Sequence, residues 1–311
     1  MNENMIIDAE MQKELTRKAY DRYIRRNETS LDLPIGLNPV GGILLHEEFE
    51  SKLLNAINRI AVLRELCTQV KTSGDRTVPI VTGYGQPVWV PEGGDIPTVK
   101  DTFDKIVLDS HKLVAITRVS SDLIKESAID IEQMLADSFA DRMAPMEEES
   151  FISGDGMDKP LGLLHQAAVG CKTQTAGTVS VEDVLNLIFS VPEKYRRNGT
   201  LLMNENTLLN LYKQCSASGT NLWLGKSNDG KDDTLFGYRI VRCSAMPEVQ
   251  SGSIPVLFGD FKKVYINDCG DRGFRRMKEL YSEFDQVAYM LGEHVGIKLA
   301  ITDAIKGLKV I

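Results

Sequence analysis

Residues 129–165 read IDIEQMLADSFADRMAPMEEESFISGDGMDKPLGLLH. Apolar side chains recur at four-residue intervals, at Ile131, Leu135, Phe139 and Met143. This spacing places them on one face of an α-helix, with acidic residues over much of the remaining surface. Continued to Ser153, the helix would be roughly 35–40 Å long, enough to cross a domain. The sequence therefore predicts a long central helix.

Two features near the end of this helix bear on its structure and on possible chemistry. Pro145 cannot donate a hydrogen bond to the Asp141 carbonyl, so we expect a kink or a local opening there. The triplet Gly154-Asp155-Gly156 follows the helix. Phosphate-binding loops follow a strand and open a helix, whereas this triplet closes one. A glycine C-cap and turn is therefore favoured over a phosphate site.

Composition and charge exclude several functional classes. The chain has 311 residues, 42% of them hydrophobic and 26% charged, which fits one large or two ordinary globular domains. A net charge of -8 argues against a dedicated nucleic-acid binder, although not against enclosing DNA without gripping it. We find neither an apolar run that could span a bilayer nor a signal-peptide pattern, so we expect a soluble protein made in the cytoplasm.

The reactive residue types form no recognisable active site. The five cysteines are scattered without a Cys-x-x-Cys pair, and the four histidines never occur four residues apart. The sequence contains no G-x-S-x-G elbow and no Walker-type loop. We therefore predict no catalytic residue, no cofactor and no metal ion. An α/β enzyme stays as an alternative from another class, weakened by this absence.

The first part of the chain reads as an arm and a helix. Residues 8–27 have the spacing of a short charged helix, whose surface is either solvated or a partner-binding arm. Proline and glycine between residues 29 and 42 forbid regular structure and indicate an extended arm. A second amphipathic helix is expected over residues 47–63.

A long segment between two predicted strands is the strongest candidate for an interface. Residues 77–81 and 103–116 are strand-like, and between them residues 82–97 read TGYGQPVWVPEGGDIP. This connection is too long and too rich in glycine and proline for a tight hairpin. An exposed tryptophan on a projecting hairpin more often marks an interface than nothing. The contact candidates here are Tyr84, Trp89, Glu92 and Lys100.

The second half of the chain alternates helices and apolar strands, as in an α/β domain. A helix is expected over residues 181–195, with Ser180 and Asp183 as its cap. Arg272, Arg275 and Arg276 form a basic cluster. The cluster either meets an acidic face of a neighbouring copy, such as the run that begins at Glu147, or is a solvated strand face.

The order of these features resembles a known family. The matching segments are Val119-Ser120-x-Asp122-Leu123-Ile124, Ile129-Asp130-Ile131-Glu132, Glu148-x-x-Phe151-Ile152-x-Gly154-Asp155-Gly156 and Pro160-x-Gly162. Trp89-Val90-x-Glu92 in the long loop and the spacing of Ala304, Leu308 and Val310 near the end add to them. Together, over residues 41–310, they resemble the major capsid proteins of tailed bacteriophages, with the Hong Kong 97-type fold.

The resemblance implies an α+β fold with a peripheral domain built on a long spine helix and a long β-sheet, an axial α/β domain, an extended β-hairpin loop and an N-terminal arm. The boundaries expected on this basis are an arm over residues 1–42, the first part of the peripheral domain over 43–77, the extended loop over 78–106, the peripheral domain with its spine helix over 107–180, the axial domain over 181–284, and a return of the chain to the peripheral domain over 285–311.

The function implied by the resemblance is mechanical. Hexamers and pentamers of the chain would form an icosahedral shell around the double-stranded DNA genome, assembled in the host bacterial cytoplasm and carried in the virion. The implied partners are other copies of the chain, a separate scaffolding protein (suggested by the short N-terminal region), a portal and decoration proteins. The alternative within the same fold is an encapsulin-type nanocompartment shell, which carries enzyme cargo instead of DNA.

The resemblance also bears on covalent cross-linking. Some family members join a loop lysine to an asparagine near the end of the peripheral domain. Lys100 and Lys105 flank the returning strand of the loop, yet residues 286–311 contain no asparagine. Asp303 could not simply take its place, because a carboxylate is a poor acyl donor. We therefore expect a shell held together without covalent bonds. His294 also departs from the family, whose members commonly carry arginine there.

Overall fold

The computed structural model describes residues 43–311 except 45–46, 73–76, 84, 92, 94, 96–97, 99, 127–129, 219–223, 227–232 and 278. The expected N-terminal arm and its helix over residues 8–27 lie outside the described residues. So do two of the contact candidates, Tyr84 and Glu92.

The described part of the chain alternates between helices and strands. The helices are α1 (Glu47–Ile60), α2 (Val62–Leu66), α3 (Ser121–Glu126), α4 (Ile131–Ser153), α5 (Leu163–Gln166), α6 (Val181–Ser190), α7 (Glu193–Arg196) and α8 (Glu205–Ser218). The strands are β1 (Ile43–Leu44), β2 (Thr68–Thr72), β3 (Thr77–Gly83), β4 (Thr102–Val107), β5 (His111–Ser120), β6 (Ala168–Lys172), β7 (Thr200–Met203), β8 (Leu224–Lys226), β9 (Asp233–Leu235), β10 (Tyr238–Arg242), β11 (Val256–Gly259), β12 (Val264–Cys269), β13 (Gly273–Met277), β14 (Gln286–Leu299) and β15 (Ile305–Lys309).

The central helix α4 begins and ends with local signals that the sequence carries. The Asp130 side chain accepts hydrogen bonds from the backbone N–H groups of Glu132 and Gln133, which satisfies two donors at the helix N-terminus. The helix continues through Pro145, so the expected local opening does not occur. Pro145 and Asp141 both lie on the exposed side, where water can replace the missing donor.

The turn after α4 packs tightly against the helix end. The Gly162 N–H donates to the Gly154 carbonyl at 2.9 Å, and Asp155 forms an isolated bridge with Leu161. A Cβ atom at Gly154 or Gly162 would overlap a backbone carbonyl oxygen, so only glycine fits. The triplet 154–156 thus closes a helix, as predicted.

A six-stranded sheet packs against α4. Its order is β1-β13-β14-β12-β2, with β5 paired to β14 on the other side. The β5 strand alternates between exposed residues and residues that are partly or fully buried, and the latter face the helix. The first hydrophobic cluster lies between this sheet, α4 and α1, with Phe139, Phe274 and Tyr289 fully buried at its centre.

A seven-stranded sheet forms the second half of the molecule, in the order β6-β15-β11-β7-β10-β9-β8. Helices α6 and α8 contribute Val184, Leu187 and Leu211 to its core. A further cluster joins the two halves, since it contains Phe151 and Ile152 from the end of α4 together with residues of both sheets. The α+β fold class is therefore confirmed.

The sheets divide the chain differently from the expected boundaries. Strands β12 and β13 were expected in the axial domain of residues 181–284, but they lie in the six-stranded sheet. The final strand β15 was expected to return to that sheet, but it pairs with β11 and β6 in the seven-stranded one. The chain crosses between the sheets at residues 260–264 and 300–305, where short connections leave no compositional signal.

Candidate assembly surface

Strands β3 and β4 form a hairpin that is attached to neither of the larger sheets. Within the described chain they pair only with each other, in antiparallel register from Thr77 opposite Val107 to Gly83 opposite Thr102. An isolated two-stranded ribbon is marginally stable in water unless one of its faces is covered. Ile80 on β3 is buried, whereas five of the six residues of β4 are exposed, so the exposed side of the hairpin is a surface that can take a partner.

Apolar side chains on the hairpin face solvent. Phe103 is 69% exposed and Val107 57%, and both lie on the same face because they are four residues apart on β4. Trp89 is 101% exposed, with Val88 beside it at 59%. Large aromatic residues in such positions are typical of interfaces that are incomplete in the isolated chain.

A hydrogen bond closes the base of the projecting loop. The Gly85 N–H donates to the Asp101 Oδ1 at 2.8 Å, so the connection between β3 and β4 is held together at its two ends. Lys100 lies next to this closure, is exposed, and forms no ion pair with any described residue. Trp89 and Lys100 are therefore both available to a second molecule.

The three arginines of the basic cluster do not share one surface. Arg275 is exposed, whereas Arg276 points to the helix side of the sheet and is 9% exposed. Adjacent residues of a strand face opposite sides, which explains the difference. Arg272 precedes β13 and is 6% exposed. The interpretation of all three as one outward-facing cluster was therefore wrong, and only Arg275 could reach a neighbouring copy.

Arg272 and the expected acceptor Glu147 instead belong to one buried network of charges within the subunit. Arg64 on α2 donates to both carboxylate oxygens of Glu147 on α4, at 2.8 and 2.7 Å, and to both oxygens of Asp268 on β12, each at 3.1 Å. Arg272 donates to Glu293 on β14 at 2.7 Å. The Arg64 and Glu147 side chains are completely buried.

The network shifts the pKa values of its members. Burial would raise the pKa of Asp268, but the Arg64 and Arg272 guanidiniums outweigh it and lower that pKa below its ordinary value. Burial, together with the negative charge of Glu293, raises the pKa of Glu147 from 4.5 to about 8, although Arg64 opposes the shift. The network thus locks α2, α4, β12 and β14 together.

Glu148, the next residue on α4, has a different structural role. Its Oε1 accepts hydrogen bonds from the backbone N–H groups of Val62 and Leu63, at 2.7 and 3.3 Å. A carboxylate at this position satisfies donors at the start of α2. Two of the three consecutive glutamates thus face the interior, which leaves Glu149 as the exposed member.

This network was missed from sequence, although a signal was present. The four-residue stripe of α4 does not stop at Met143: the next positions are Glu147 and Phe151. A charged residue on the buried stripe of a helix must be paired, because an isolated buried charge is very costly. Glu293 is likewise on the buried side of an apolar strand. Continuing both patterns would have identified these residues, though not their partner Arg64.

Neither a cluster of metal ligands nor a membrane-spanning helix occurs in the described part of the chain. No group of three or more histidine, cysteine, aspartate or glutamate side chains in that part of the chain could hold a metal ion. None of the helices described there combines the length and apolar character required to cross a bilayer.

Comparison with known proteins identifies relatives of this fold. The model of the phage capsid family matches residues 41–310. The capsid of an empty GTA particle is 27% identical, with a TM-score of 0.63 over 81% of this chain and 96% of that chain. The protein of Gordonia phage Cozz is 14% identical, with a TM-score of 0.59 over 81% of this chain and 86% of that one.

A shell protein of another kind shares the fold. The SrpI encapsulin from Synechococcus elongatus is 13% identical, with a TM-score of 0.58 over 88% of this chain and 96% of that chain. No curated protein sequence matches.

Proposed function

The chain belongs to the phage capsid family and is a major capsid protein, and we propose that hexamers and pentamers of it close into an icosahedral shell around double-stranded DNA. The observation that carries this proposal is the β3–β4 hairpin with its fully exposed Trp89. Heterologous contacts, in which one surface of a subunit meets a different surface of the next, generate rings and closed shells. A projecting hairpin and a separate receiving surface supply such a contact.

In this proposal the two sheets have different positions in the shell. The six-stranded sheet with α4 corresponds to the peripheral domain, and the seven-stranded sheet corresponds to the axial domain around which hexamers and pentamers form. The hairpin contacts the peripheral domain of an adjacent copy, and residues 1–42 form a second connection between subunits. Burial of Trp89, Val88 and Phe103 in that contact covers apolar side chains that are exposed in the isolated chain.

The acidic balance of the chain suits a container for DNA. A net charge of -8 disfavours adsorption of the packaged polyanion to the wall. The protein acts as a structural component of the virion. We further propose that it assembles in the host bacterial cytoplasm, with a scaffolding protein encoded separately, a portal, and decoration proteins as partners.

Nuclease protection separates this proposal from the encapsulin alternative. Particles would be purified from the host that carries the complete set of head genes and then treated with nuclease. A phage head is expected to retain long protected duplex DNA. Particles that hold no protected DNA and instead co-purify with one stoichiometric enzyme would contradict the proposal and establish the encapsulin function.

A further inference from the structure

The buried charge network contains more negative than positive groups. Arg64 and Arg272 supply two positive charges, while Glu147, Asp268 and Glu293 would supply three negative charges if all were ionised. Their side chains are between 0% and 16% exposed. An uncompensated charge in such a place is costly, so the network favours the uptake of one proton.

The hydrogen-bond pattern shows where that proton fits. Both oxygens of Glu147 already accept from Arg64, and the Oε2 atom of Glu293 accepts from Arg272. The Oε1 atom of Glu293 is buried and has no donor among the described residues. The Glu293 carboxylate is also close enough to Glu147 for its negative charge to raise the pKa of Glu147. Two ionised carboxylates carry no donor, so a hydrogen bond between them requires a proton.

We infer that Glu147 and Glu293 form a proton-binding site, in which the two buried carboxylates hold one proton between them. The proton gives the orphaned oxygen a partner and removes the excess charge. It also ties α4 to β14 at the point where the helix leaves the six-stranded sheet for the cluster that joins the two sheets. The contact between α4 and β14 should therefore depend on pH.

The surrounding groups set the pH range over which this site releases its proton. Three charged side chains face the pair: Arg64 from α2, Asp268 from β12 and Arg272 from the β12–β13 connection. Further out, Glu50 from α1 accepts a hydrogen bond from Arg272 at 3.3 Å. The Glu50 carboxylate also lies 3.8 Å from the Lys71 ammonium on β2. The raised pKa of Glu147, about 8, reflects burial and the nearby Glu293 charge. Because the two acids interact strongly, the proton belongs to the pair.

The direction of the stability change follows from proton counting. Between pH 4.5 and about 8 the folded chain holds this proton, whereas the unfolded chain has released it. The site's contribution to stability is therefore complete at low pH, decreases as pH rises through this window, and is lost above it. Relative to a variant without the site, the unfolding equilibrium constant should rise by about tenfold per pH unit within the window.

Glu293→Gln is the most direct variant. Its amide N–H can replace the O–H donor toward Glu147, while its carbonyl oxygen can still accept from Arg272. Glu149→Gln is the matched control, since Glu149 lies on the same helix but is exposed. Unassembled subunits of the wild type and both variants would be unfolded with urea at several pH values between 5 and 9.

The inference predicts that the wild type loses stability relative to Glu293→Gln as the pH rises, and that Glu149→Gln follows the wild type. Equal pH dependence in the wild type and Glu293→Gln would overturn it. Infrared spectroscopy of the wild type alone provides a second test, which does not depend on whether the variant folds. The wild type should show a protonated-carboxyl band at pH 7 that disappears by pH 9.5, and a folded wild type without this band at pH 7 would also overturn the inference.

Discussion

Replacing Trp89 with alanine should separate the stability of the subunit from the stability of the shell. The Trp89 side chain is 101% exposed in the isolated chain, so its removal takes no packing away from the subunit core. We expect the Trp89→Ala subunit to keep the circular-dichroism spectrum and the unfolding midpoint of the wild type. Surface substitutions of this kind usually change the free energy of unfolding by less than about 0.5 kcal/mol.

The cost should instead appear at the contact between subunits. A buried indole covers roughly 150–250 Å², and at about 25 cal/mol per Å² the upper bound is roughly 4–6 kcal/mol. Aromatic hot spots commonly contribute about 2–4 kcal/mol, which weakens one contact by about 30-fold to about 1,000-fold. Because every copy makes the contact, the variant should form few closed particles at concentrations at which the wild type assembles.

Light scattering and negative-stain microscopy over a concentration series would measure this effect. Trp89→Phe serves as the matched control, since it retains a large aromatic side chain and should recover most of the assembly. A Trp89→Ala protein that assembles at the wild-type concentration would refute the interface role. A variant that unfolds would show that the loop belongs to the subunit's own core.

Three other predictions test the remaining contacts. Mature particles boiled in denaturant should give a single monomer band on a gel, because residues 286–311 offer Lys100 no asparagine; a ladder of oligomers would contradict the non-covalent shell. Arg64→Met should destabilise the subunit by about 3–5 kcal/mol in urea titrations, because it leaves buried carboxylates unpaired. Arg59 is exposed, so the control Arg59→Met should cost less than about 1 kcal/mol. Equal losses of stability in the two variants would argue against the buried network. Ser180→Ala should cost about 0.5–2 kcal/mol in the same titrations through loss of the α6 capping box, whereas Ser180→Thr, which keeps the hydroxyl, should recover most of it.

The sequence predicted the elements whose patterns are local. The apolar stripe of α4, the capping residues of α6 and the closing glycines after α4 each depend on neighbours a few residues away. These were identified correctly, except that the predicted helix over residues 181–195 divides at Pro192 into α6 and α7. Proline at the start of a helix is favourable, whereas inside one it is not.

The sequence could not predict which sheet each strand joins. Strands β12 and β15 are both short, with six and five residues, and only their distant partners decide that one pairs with β2 and the other with β6. The same limit applies to the charge network, since Arg64 and Asp268 are 204 residues apart in sequence. Long-range pairing leaves no periodic signal. For the candidate surface, local composition was sufficient to select Trp89 as a candidate. The direction in which each side chain points was needed to separate the exposed Arg275 from the buried Arg272 and Arg276.

The most direct test of the shell itself is electron cryo-microscopy of particles formed by the purified chain, alone or with its scaffolding protein. We expect closed icosahedral shells of pentamers and hexamers, in which Trp89 is covered by an adjacent subunit. A chain that remains a compact monomer under every assembly condition, or a shell in which the β3–β4 hairpin contacts only its own subunit, would contradict it.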